Sequence, residues 1–371
     1  MIFEEFASLL SRICSRGSLA PGRPLIWTII ANPRAGGFTI RSRWRKHAAL
    51  LAQRVKKAEQ NPPRAGMSSK TASGEGGYTG SLGLVLTRAV GHAGEITTAL
   101  LKEADATGGC PTGNGQPFYL IITAGGDGTS REVMTSLYHA PARIRDNFAI
   151  LRLPMGTGND GSDARELDKA LDLLIEPSRL TRQRAIRLKT AGDKDPFLAF
   201  NILSVGLDAF VTHMTNKTKG KLPGDSYKIW VNLAALFYDL VYKVGYIDLR
   251  STDTQGNEVK ALREKLLLLA VGESGRRSYG SQKWILPDDR NVCAMRQMSL
   301  FRKLVLKGPL SRGTHVNAPE AILWNAGAIE FSAQYPILAQ MDGETARLET
   351  GDFPVTIELT EPMIPVLRQA P

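Results

Sequence analysis

A glycine cluster in the first half of the chain has the composition of a phosphate-binding turn. Gly125-Gly126-Asp127-Gly128-Thr129 follows the apolar run 118–123 and precedes a helical pattern. Such a turn leaves backbone amides unobstructed beside a helix N-terminus, where phosphate groups bind. Asp127 does not suit simple anion binding, but it suits a magnesium ion that accompanies the phosphates. Taken alone, the cluster could equally be a tight turn, because Gly and Asp are common turn residues.

A second glycine turn follows the next apolar run, 149–153. It reads Pro154-Met155-Gly156-Thr157-Gly158-Asn159-Asp160 and ends in an amide and an acid. Asn32-Pro33 ends a third apolar run. Loops at the carboxyl ends of successive parallel strands face one crevice. The three endings together therefore predict a nucleotide site rather than unrelated turns.

The elements that must position these loops are short apolar runs that alternate with helical patterns. The runs cover 25–31, 82–87, 118–123 and 149–153. Four strands that each feed a helix predict a doubly wound, Rossmann-like α/β domain with a parallel sheet. Thr129 and Glu132 have the spacing of a capping box at the start of the helix after the first glycine turn.

After about Arg182 the pattern changes to apolar runs without long helices between them. These runs are RAIRLK, FLAFNILSV, YIDLRST, KLLLLAV, CAMRQMSLF, AIEFSAQ and PILAQM. They predict an antiparallel β-sandwich domain, interrupted by one amphipathic helix near 226–243. The predicted domains are 24–178 for nucleotide binding and 179–359 for the β domain. Whether 360–371 rejoins the first domain is left open.

The balance of 47 Lys and Arg against 36 Asp and Glu leaves a net charge of +11. This charge favours anionic partners such as phosphate, nucleic acid or an acidic lipid surface.

Cys14, Cys110 and Cys293 have no metal-binding spacing, which favours a reducing, cytoplasmic setting. The N-terminal segment predicts an amphipathic helix that packs on the protein or lies on a membrane, and we favour packing. We expect neither a signal peptide nor a transmembrane helix.

Taken together, the motifs resemble one family. ANPRAGG, TRAVGHA, GGDGTSRE, LPMGTGND, FNILSVGLDA and MDGE occur in the order typical of the diacylglycerol kinase catalytic domain family. That family includes bacterial lipid kinases and sphingosine kinases, and it is distantly similar to NAD kinases and phosphofructokinases. The resemblance covers about residues 26–366. It implies a nucleotide-binding α/β domain, an antiparallel β domain, and a site in the cleft between them.

The resemblance also implies the roles of individual residues. ATP and Mg²⁺ are the implied cofactors. The catalytic candidates are Asp127 as a metal ligand, Asp160 near the transferred phosphate, and Glu344 as the general base, with Asp127 as the alternative base. His92 matches a family position, but it could equally cap its helix. The predicted nucleotide contacts are Asn32, Thr87, Gly125, Gly126, Asp127, Gly128, Thr129, Glu132, Gly156 and Thr157.

One motif departs from the family. Relatives carry an Asp-Asp-Gly metal loop where this chain reads Pro287-Asp288-Asp289-Arg290. Asp289 stays a candidate metal ligand, but Arg290 puts a positive charge beside its oxygens and disfavours a cation there.

The resulting prediction is an ATP-dependent kinase of a lipid such as diacylglycerol, associated peripherally with a membrane. The alternatives are an NAD kinase-like enzyme of small molecules and a binding protein whose kinase site has decayed. No strand interleaves aromatic and basic residues, so we expect no nucleic-acid partner.

We expect docking on anionic phospholipid, and a homodimer is left open. The candidate docking residues are Arg41, Arg43, Arg45, Lys46, Lys217, Lys219 and Lys221. The stretch 57–81 is predicted to be a disordered surface insertion.

Overall fold

The computed structural model describes residues 2–14, 25–60, 83–106, 117–156, 159–175, 178–192, 195–218, 238–279 and 283–369. The chain divides into two compact units. The first unit comprises Met1–Gln183 together with Met363–Pro371, and the second comprises Arg184–Pro362. The chain therefore passes into the second unit once and returns to the first for its last residues.

The first unit is built on a six-stranded sheet. Its strands are β1 (Leu25–Ala31), β2 (Gly83–Leu86), β3 (Phe118–Gly125), β4 (Phe148–Pro154), β5 (Ser178–Gln183) and β19 (Ile364–Gln369). Their order is β2-β1-β3-β4-β19-β5, and all neighbours are parallel except β19 and β5. Every residue of β3 and β4 is buried, as expected for strands covered on both faces. The predicted parallel α/β class is confirmed.

One helix precedes the sheet in sequence, and the others follow β1, β2, β3 and β4. They are α1 (Ile2–Cys14), α2 (Gly36–Thr39), α3 (Arg41–Gln60), α4 (His92–Ala106), α5 (Asp127–His139), α6 (Ala142–Arg145) and α7 (Leu167–Ile175). Phe6, Leu10 and Ile13 of α1 are fully buried in the core of the first unit. The ring of Phe6 lies edge-on to that of Phe38, with 5.3 Å between centroids. The prediction that the N-terminal helix packs on the protein is confirmed.

The second unit is an antiparallel β domain. An eleven-stranded sheet contains β6 (Ile186–Lys189), β7 (Phe197–Ala199), β8 (Ile202–Gly206), β9 (Tyr246–Thr252), β10 (Glu258–Gly272), β13 (Val292–Arg296), β14 (Ala321–Trp324), β15 (Ala328–Ala333), β16 (Ile337–Met341), β17 (Glu344–Leu348) and β18 (Val355–Leu359). A separate ribbon pairs β11 (Arg277–Tyr279) with β12 (Lys283–Leu286).

The long strand β10 joins two layers of this sheet. Residues 258–265 pair with β9, whereas residues 268–272 pair with β8. A register shift near Leu266 separates the two halves along the β13 side. One apolar core is shared by both layers, with Leu249 and Ile329 from one and Val205 and Leu269 from the other. The expectation of an antiparallel β class is therefore confirmed.

The expectation that long helices are absent between the β runs was wrong. The second unit contains α8 (Leu207–Thr218), α9 (Tyr238–Val241) and α10 (Leu300–Arg312). The predicted run CAMRQMSLF ends as a strand at Arg296, and its last two residues begin α10. Several apolar residues of α10 face solvent, so their pattern did not predict a buried helix face.

Two further predictions fall mostly outside the described residues. Of the predicted helix near 226–243, only 238–243 is described, and of the predicted insertion 57–81, only 57–60 is described, at the end of α3. Among the described residues, no helix is long and apolar enough to cross a membrane.

Candidate active site

The carboxyl ends of the central parallel strands carry the predicted nucleotide residues of the first unit. The amide of Asn32 donates to the carbonyl of Ala124 at 3.0 Å, and the amide of Thr87 donates to the carbonyl of Ala31 at 2.9 Å. The side-chain amide of Asn32 donates to Thr129 Oγ1 at 3.4 Å. Asn32 and Thr87 therefore lie at adjacent strand ends, and Asn32 also contacts the first turn of α5.

The two glycine turns meet backbone to backbone. A Cβ placed on Gly156 would lie 2.5 Å from Cα of Gly126, closer than any real Cβ contact. Asn159 folds back within its own turn, because its Oδ1 accepts from the amide of Gly156 at 2.6 Å. Its φ of 58° is in the left-handed region that Asn tolerates. The structure thus brings together the two turns that sequence placed at one crevice, whereas Thr157 lies outside the described residues.

Asp127 is the first residue of α5 and joins the two turns. Its Oδ1 accepts from the amide of Gly161 at 2.9 Å. Burial raises the pKa of Asp127, and hydrogen bonds from the amides of Gly161 and Asp160 oppose that rise. The carboxylate therefore orients the segment that contains Asp160 and also lies at the helix N-terminus where phosphate would bind.

Magnesium is commonly held by one or two carboxylates together with phosphate oxygens and water. Asp127, beside the glycine amides, fits such a partial set of ligands. Among the described residues, no group of three or more His, Cys, Asp or Glu side chains could hold a metal alone.

The predicted capping box of α5 was wrong. The N-cap of α5 is Gly126, and no side chain caps this helix. Glu132 instead caps the N-terminus of α4, because its two carboxylate oxygens accept from the amides of Gly91 at 2.7 Å and Ala93 at 3.0 Å. His92 Nδ1 accepts from the amide of Arg88 at 3.0 Å. These contacts show both side chains ordering the TRAVGHA turn.

A buried ion-pair network holds the segment that follows the second turn. The side chain of Asp163 is fully buried, and Arg152 Nη2 lies 2.6 Å from its Oδ1. Arg368 of β19 pairs with the same carboxylate, and Gln183 accepts from both guanidinium groups. Burial alone would raise the pKa of Asp163, but the charges and hydrogen bonds of Arg152 and Arg368 lower it overall. The sequence interpretation missed this network, because its members are far apart along the chain.

In the second unit, the MDGE motif forms a tight hairpin between β16 and β17. Asp342 and Gly343 have φ values of 47° and 98°, and Met341 pairs with Glu344 across the turn. The buried carboxylate of Asp342 accepts from the amides of Asn201 and Ile202, each at 3.0 Å, and from that of Phe200. Asp342 thus has a structural role, whereas Glu344 is exposed at the start of β17.

A neighbouring carboxylate was not among the predicted site residues. Asp208 is in the first turn of α8 and accepts from Ser204 Oγ at 2.6 Å and from Gln340 Nε2 at 3.4 Å. Burial raises its pKa, opposed by these hydrogen bonds and by the charge of Lys283. The signal available in the sequence was an acid two residues after Gly206, the last residue of the buried strand β8. Gly206 has a φ of 89°, which favours glycine. A Cβ at this position would lie 2.5 Å from the carbonyl oxygen of Leu267, so a residue with a side chain does not fit.

The Pro287–Arg290 loop does not fit a metal ion. Arg290 pairs with Asp288 at 2.5 Å, and Arg276 Nε lies 2.7 Å from Asp289 Oδ1. The hydrogen bond from Arg290 lowers the pKa of Asp288, and that from Arg276 lowers the pKa of Asp289. Both carboxylates are therefore neutralised by guanidinium groups.

The chain is similar to known proteins in sequence and in fold. Residues 26–191 match the family described as diacylglycerol kinase catalytic domain. A Yersinia enterocolitica protein named "Probable lipid kinase YegS-like" is 26% identical over 230 residues, covering 60% of this chain and 71% of that protein. A protein of the same name from Enterobacter sp. (strain 638) is 31% identical over 110 residues, 29% of this chain and 36% of that protein.

Solved structures support the fold across nearly the whole chain. A diacylglycerol kinase structure from Bacillus anthracis str. Sterne covers 92% of this chain and 96% of its own, with a TM-score of 0.50 and 15% identity. A second solved chain from that organism gives a TM-score of 0.53 and 18% identity at the same coverage. Residues 26–191 of the chain are thus similar to the diacylglycerol kinase catalytic domain family, and the chain is also similar to YegS-like lipid kinases.

Proposed function

We propose that this protein transfers the γ-phosphate of ATP to the hydroxyl of a lipid such as diacylglycerol. The observation that carries the proposal is the backbone contact between the two glycine turns at Gly126 and Gly156. This contact lies inside the segment that matches the catalytic domain family. The names of the homologues support a lipid as acceptor.

The phosphates of ATP would lie over the first glycine turn and the N-terminus of α5. Phosphoryl transfer depends mainly on positioning and on neutralising charge, and the chain has no Walker lysine motif. Backbone amides of the turn and a magnesium ion at Asp127 would supply both. When bound, magnesium neutralises phosphate charge. Asn32, Thr87 and Thr129 are positioned near strand ends where they can orient the nucleotide.

Glu344 would act as general base on the acceptor. As the lipid hydroxyl oxygen bonds to the γ-phosphorus, the bond from phosphorus to the β,γ-bridging oxygen breaks and ADP leaves. The hydroxyl proton passes to the carboxylate of Glu344, and a phosphorylated lipid forms. Glu344 is exposed on its own unit, so it can meet an acceptor without local unfolding. Asp160 would contact the transferred phosphate or the acceptor head group.

Because the acceptor stays in a bilayer, we propose that the protein works at a membrane surface and associates with it peripherally. The predicted basic cluster at the start of α3 is suitable for this. Arg41, Arg43, Arg45 and Lys46 are all exposed there, around the buried Trp44. Each such cation contributes on the order of 1 kcal/mol near an acidic surface. Of the second cluster only Lys217 is described, whereas Lys219 and Lys221 lie outside the described residues.

The test is an acceptor screen with radiolabelled ATP and magnesium. Diacylglycerol, monoacylglycerol, ceramide and a sphingoid base would be presented in mixed micelles, with NAD as a water-soluble control. We expect label in a chloroform-extractable product and none in NADP. Label in NADP alone would assign the chain to small-molecule kinases, and label in neither would refute the proposal.

A further inference from the structure

The helix α10 of the second unit carries an apolar face that points into solvent. Four of its residues make up this α10 face, with exposed fractions of 43% for Leu300, 75% for Phe301, 50% for Leu304 and 45% for Val305. Their spacing of one, three and four residues places them on one side of the helix. Most of the other large apolar residues exposed in the described chain occur singly along the sequence, which is normal for a surface.

The opposite side of α10 holds the helix firmly on the domain. Leu306 is buried in an apolar core with Leu286 and Met295. The guanidinium of Arg302 donates to both carboxylate oxygens of Glu320, at 2.6 and 3.0 Å. The buried ammonium of Lys303 pairs with Asp239. Since these contacts fix the rotation of the helix, the exposure of the α10 face follows from its packing.

The ends of α10 are also well defined. Ser299 caps the N-terminus by accepting from the amide of Arg302 at 3.3 Å, and Gly313 ends the helix with a φ of 76°. The helix is therefore a preformed platform whose apolar face needs no ordering to bind a partner.

The charge of α10 indicates what this partner is. None of its thirteen residues is acidic, and four are basic. Glu320 and Asp239 neutralise Arg302 and Lys303. Lys307 and Arg312 are exposed towards the C-terminal end of the helix. An apolar face flanked by exposed cations is the pattern of a helix that lies in the interface of an anionic bilayer.

We propose that α10 is a membrane-docking helix, which inserts its apolar face among the lipids of an anionic phospholipid surface. Lys307 and Arg312 would contact the head groups, and their long apolar stems would lie along the inserted side chains. A second copy of this chain is a poorer partner for the face, because a symmetric contact would bring these cations towards their own counterparts. The inference rests on the proposed function for its choice of a lipid surface.

The test is vesicle sedimentation of the purified chain, in the absence of ATP and acceptor. Vesicles of phosphatidylcholine alone are compared with vesicles that also contain phosphatidylglycerol, each at low and high salt. The main variant is Phe301→Ser with Leu304→Ser, and the matched control is Val259→Ser on β10, where Val259 is 43% exposed. Lys307→Gln tests the electrostatic part, and thermal melts confirm that each variant is folded.

We expect the double variant to bind anionic vesicles at least about tenfold more weakly, because two inserted side chains are lost. Lys307→Gln should weaken that binding about fivefold at low salt, with little effect on neutral vesicles. Val259→Ser should bind as the parent does. In the Phe301→Trp variant, lipid that is brominated on its acyl chains should quench the fluorescence of the new tryptophan.

Equal vesicle binding by the parent and the folded double variant would overturn the inference. So would an equal loss in Val259→Ser, or a face that proved to hold two copies together in size-exclusion chromatography. Because vesicle binding needs no turnover, its outcome is independent of the acceptor screen. A chain that bound vesicles through α10 and phosphorylated no lipid would refute the proposed function alone.

Discussion

Gly156 packs directly on Gly126, so closely that a Cβ at position 156 would lie 2.5 Å from Cα of Gly126. The same Cβ would lie 2.8 Å from Oδ1 of Asn159. Backbone atoms cannot yield as a flexible side chain can. The relative position of the two glycine turns therefore depends on the absence of a side chain at one residue.

Gly156→Ala is expected to separate the two turns and to abolish ATP binding. Gly192→Ala is the control, because a Cβ there would meet nothing within 4 Å. Isothermal titration with ATP and magnesium measures the effect, and circular dichroism checks the fold. Unchanged ATP affinity in Gly156→Ala would show that the nucleotide does not depend on this contact.

Gly128→Ala should weaken ATP binding without lowering the melting temperature. A Cβ at Gly128 would meet nothing within 4 Å, and the residue lies in the first turn of α5. Ala is favoured over Gly in helices by up to about 1 kcal/mol, so the melting temperature should hold or rise. If phosphates lie over this turn, the methyl group should weaken ATP binding. An unaltered Kd for ATP would place the phosphates elsewhere.

Asp127→Asn should remove turnover and leave the chain folded. The amide retains an oxygen that can accept from Gly161, but it loses the charge that a magnesium ion requires. Asp248→Asn, on the exposed side of β9, is the matched control. Steady-state kinase assays across magnesium concentrations measure the effect. Full activity of Asp127→Asn would mean that this carboxylate does not hold the metal.

Glu344→Gln should reduce turnover by about 10²–10⁴-fold, the usual contribution of a general base. The affinity for ATP should stay nearly the same, because Glu344 is assigned to the acceptor. Glu330→Gln, also exposed in the second unit, controls for loss of charge. The comparison requires kcat and the Kd of ATP for both variants. If the Glu344→Gln variant kept most of its turnover, the role of base would pass to another residue, with Asp127 as first candidate.

Asp163→Asn should destabilise the first unit by about 3–5 kcal/mol, because it leaves the buried Arg152 without its ionised partner. Asp105→Asn breaks an exposed pair with Arg143 and should have a much smaller effect. Urea unfolding of both variants provides the comparison. Equal losses would show that burial adds nothing to this network.

The same network predicts how stability varies with pH. The pKa of Asp163 is lowered in the folded chain, so its stabilising contribution is complete above the unfolded pKa of about 4. The contribution is lost as pH falls through the folded pKa. The difference in unfolding free energy between the parent and Asp163→Asn should therefore shrink below about pH 4. A difference independent of pH would contradict the assignment.

Local patterns predicted the first unit well. The runs that became β1, β3 and β4 are buried on both faces, so most of their residues are apolar and the strands are easily recognised. The glycine turns were found because a close backbone approach restricts residue type, as at Gly156. The sequence could not show which polar side chains hydrogen-bond to residues that are far away along the chain. Glu132, for example, has capping-box spacing yet caps the neighbouring helix α4.

The second unit was predicted less completely, for a physical reason that differs between elements. The run FLAFNILSV divides into β7 and β8, because the amides of Phe200 and Asn201 donate to the distant Asp342 rather than to a strand. The helix α10 was read partly as a strand because its apolar residues do not follow a buried stripe. Neither departure is marked by the local sequence, because the first depends on a partner remote in sequence and the second on apolar residues that are exposed.

The strand β19 limits how the first unit could be produced by itself. It lies between β4 and β5 in the sheet, and its Arg368 pairs with the buried Asp163. A fragment cut to the matched segment 26–191 would lack that strand and also α1, and it would expose the edge of β4 to aggregation. An internal deletion that removes the second unit and joins the segment 363–369 to Gln183 through a short linker would restore the order of strands. The segment that matches the family and the compact first unit are therefore different stretches of this chain.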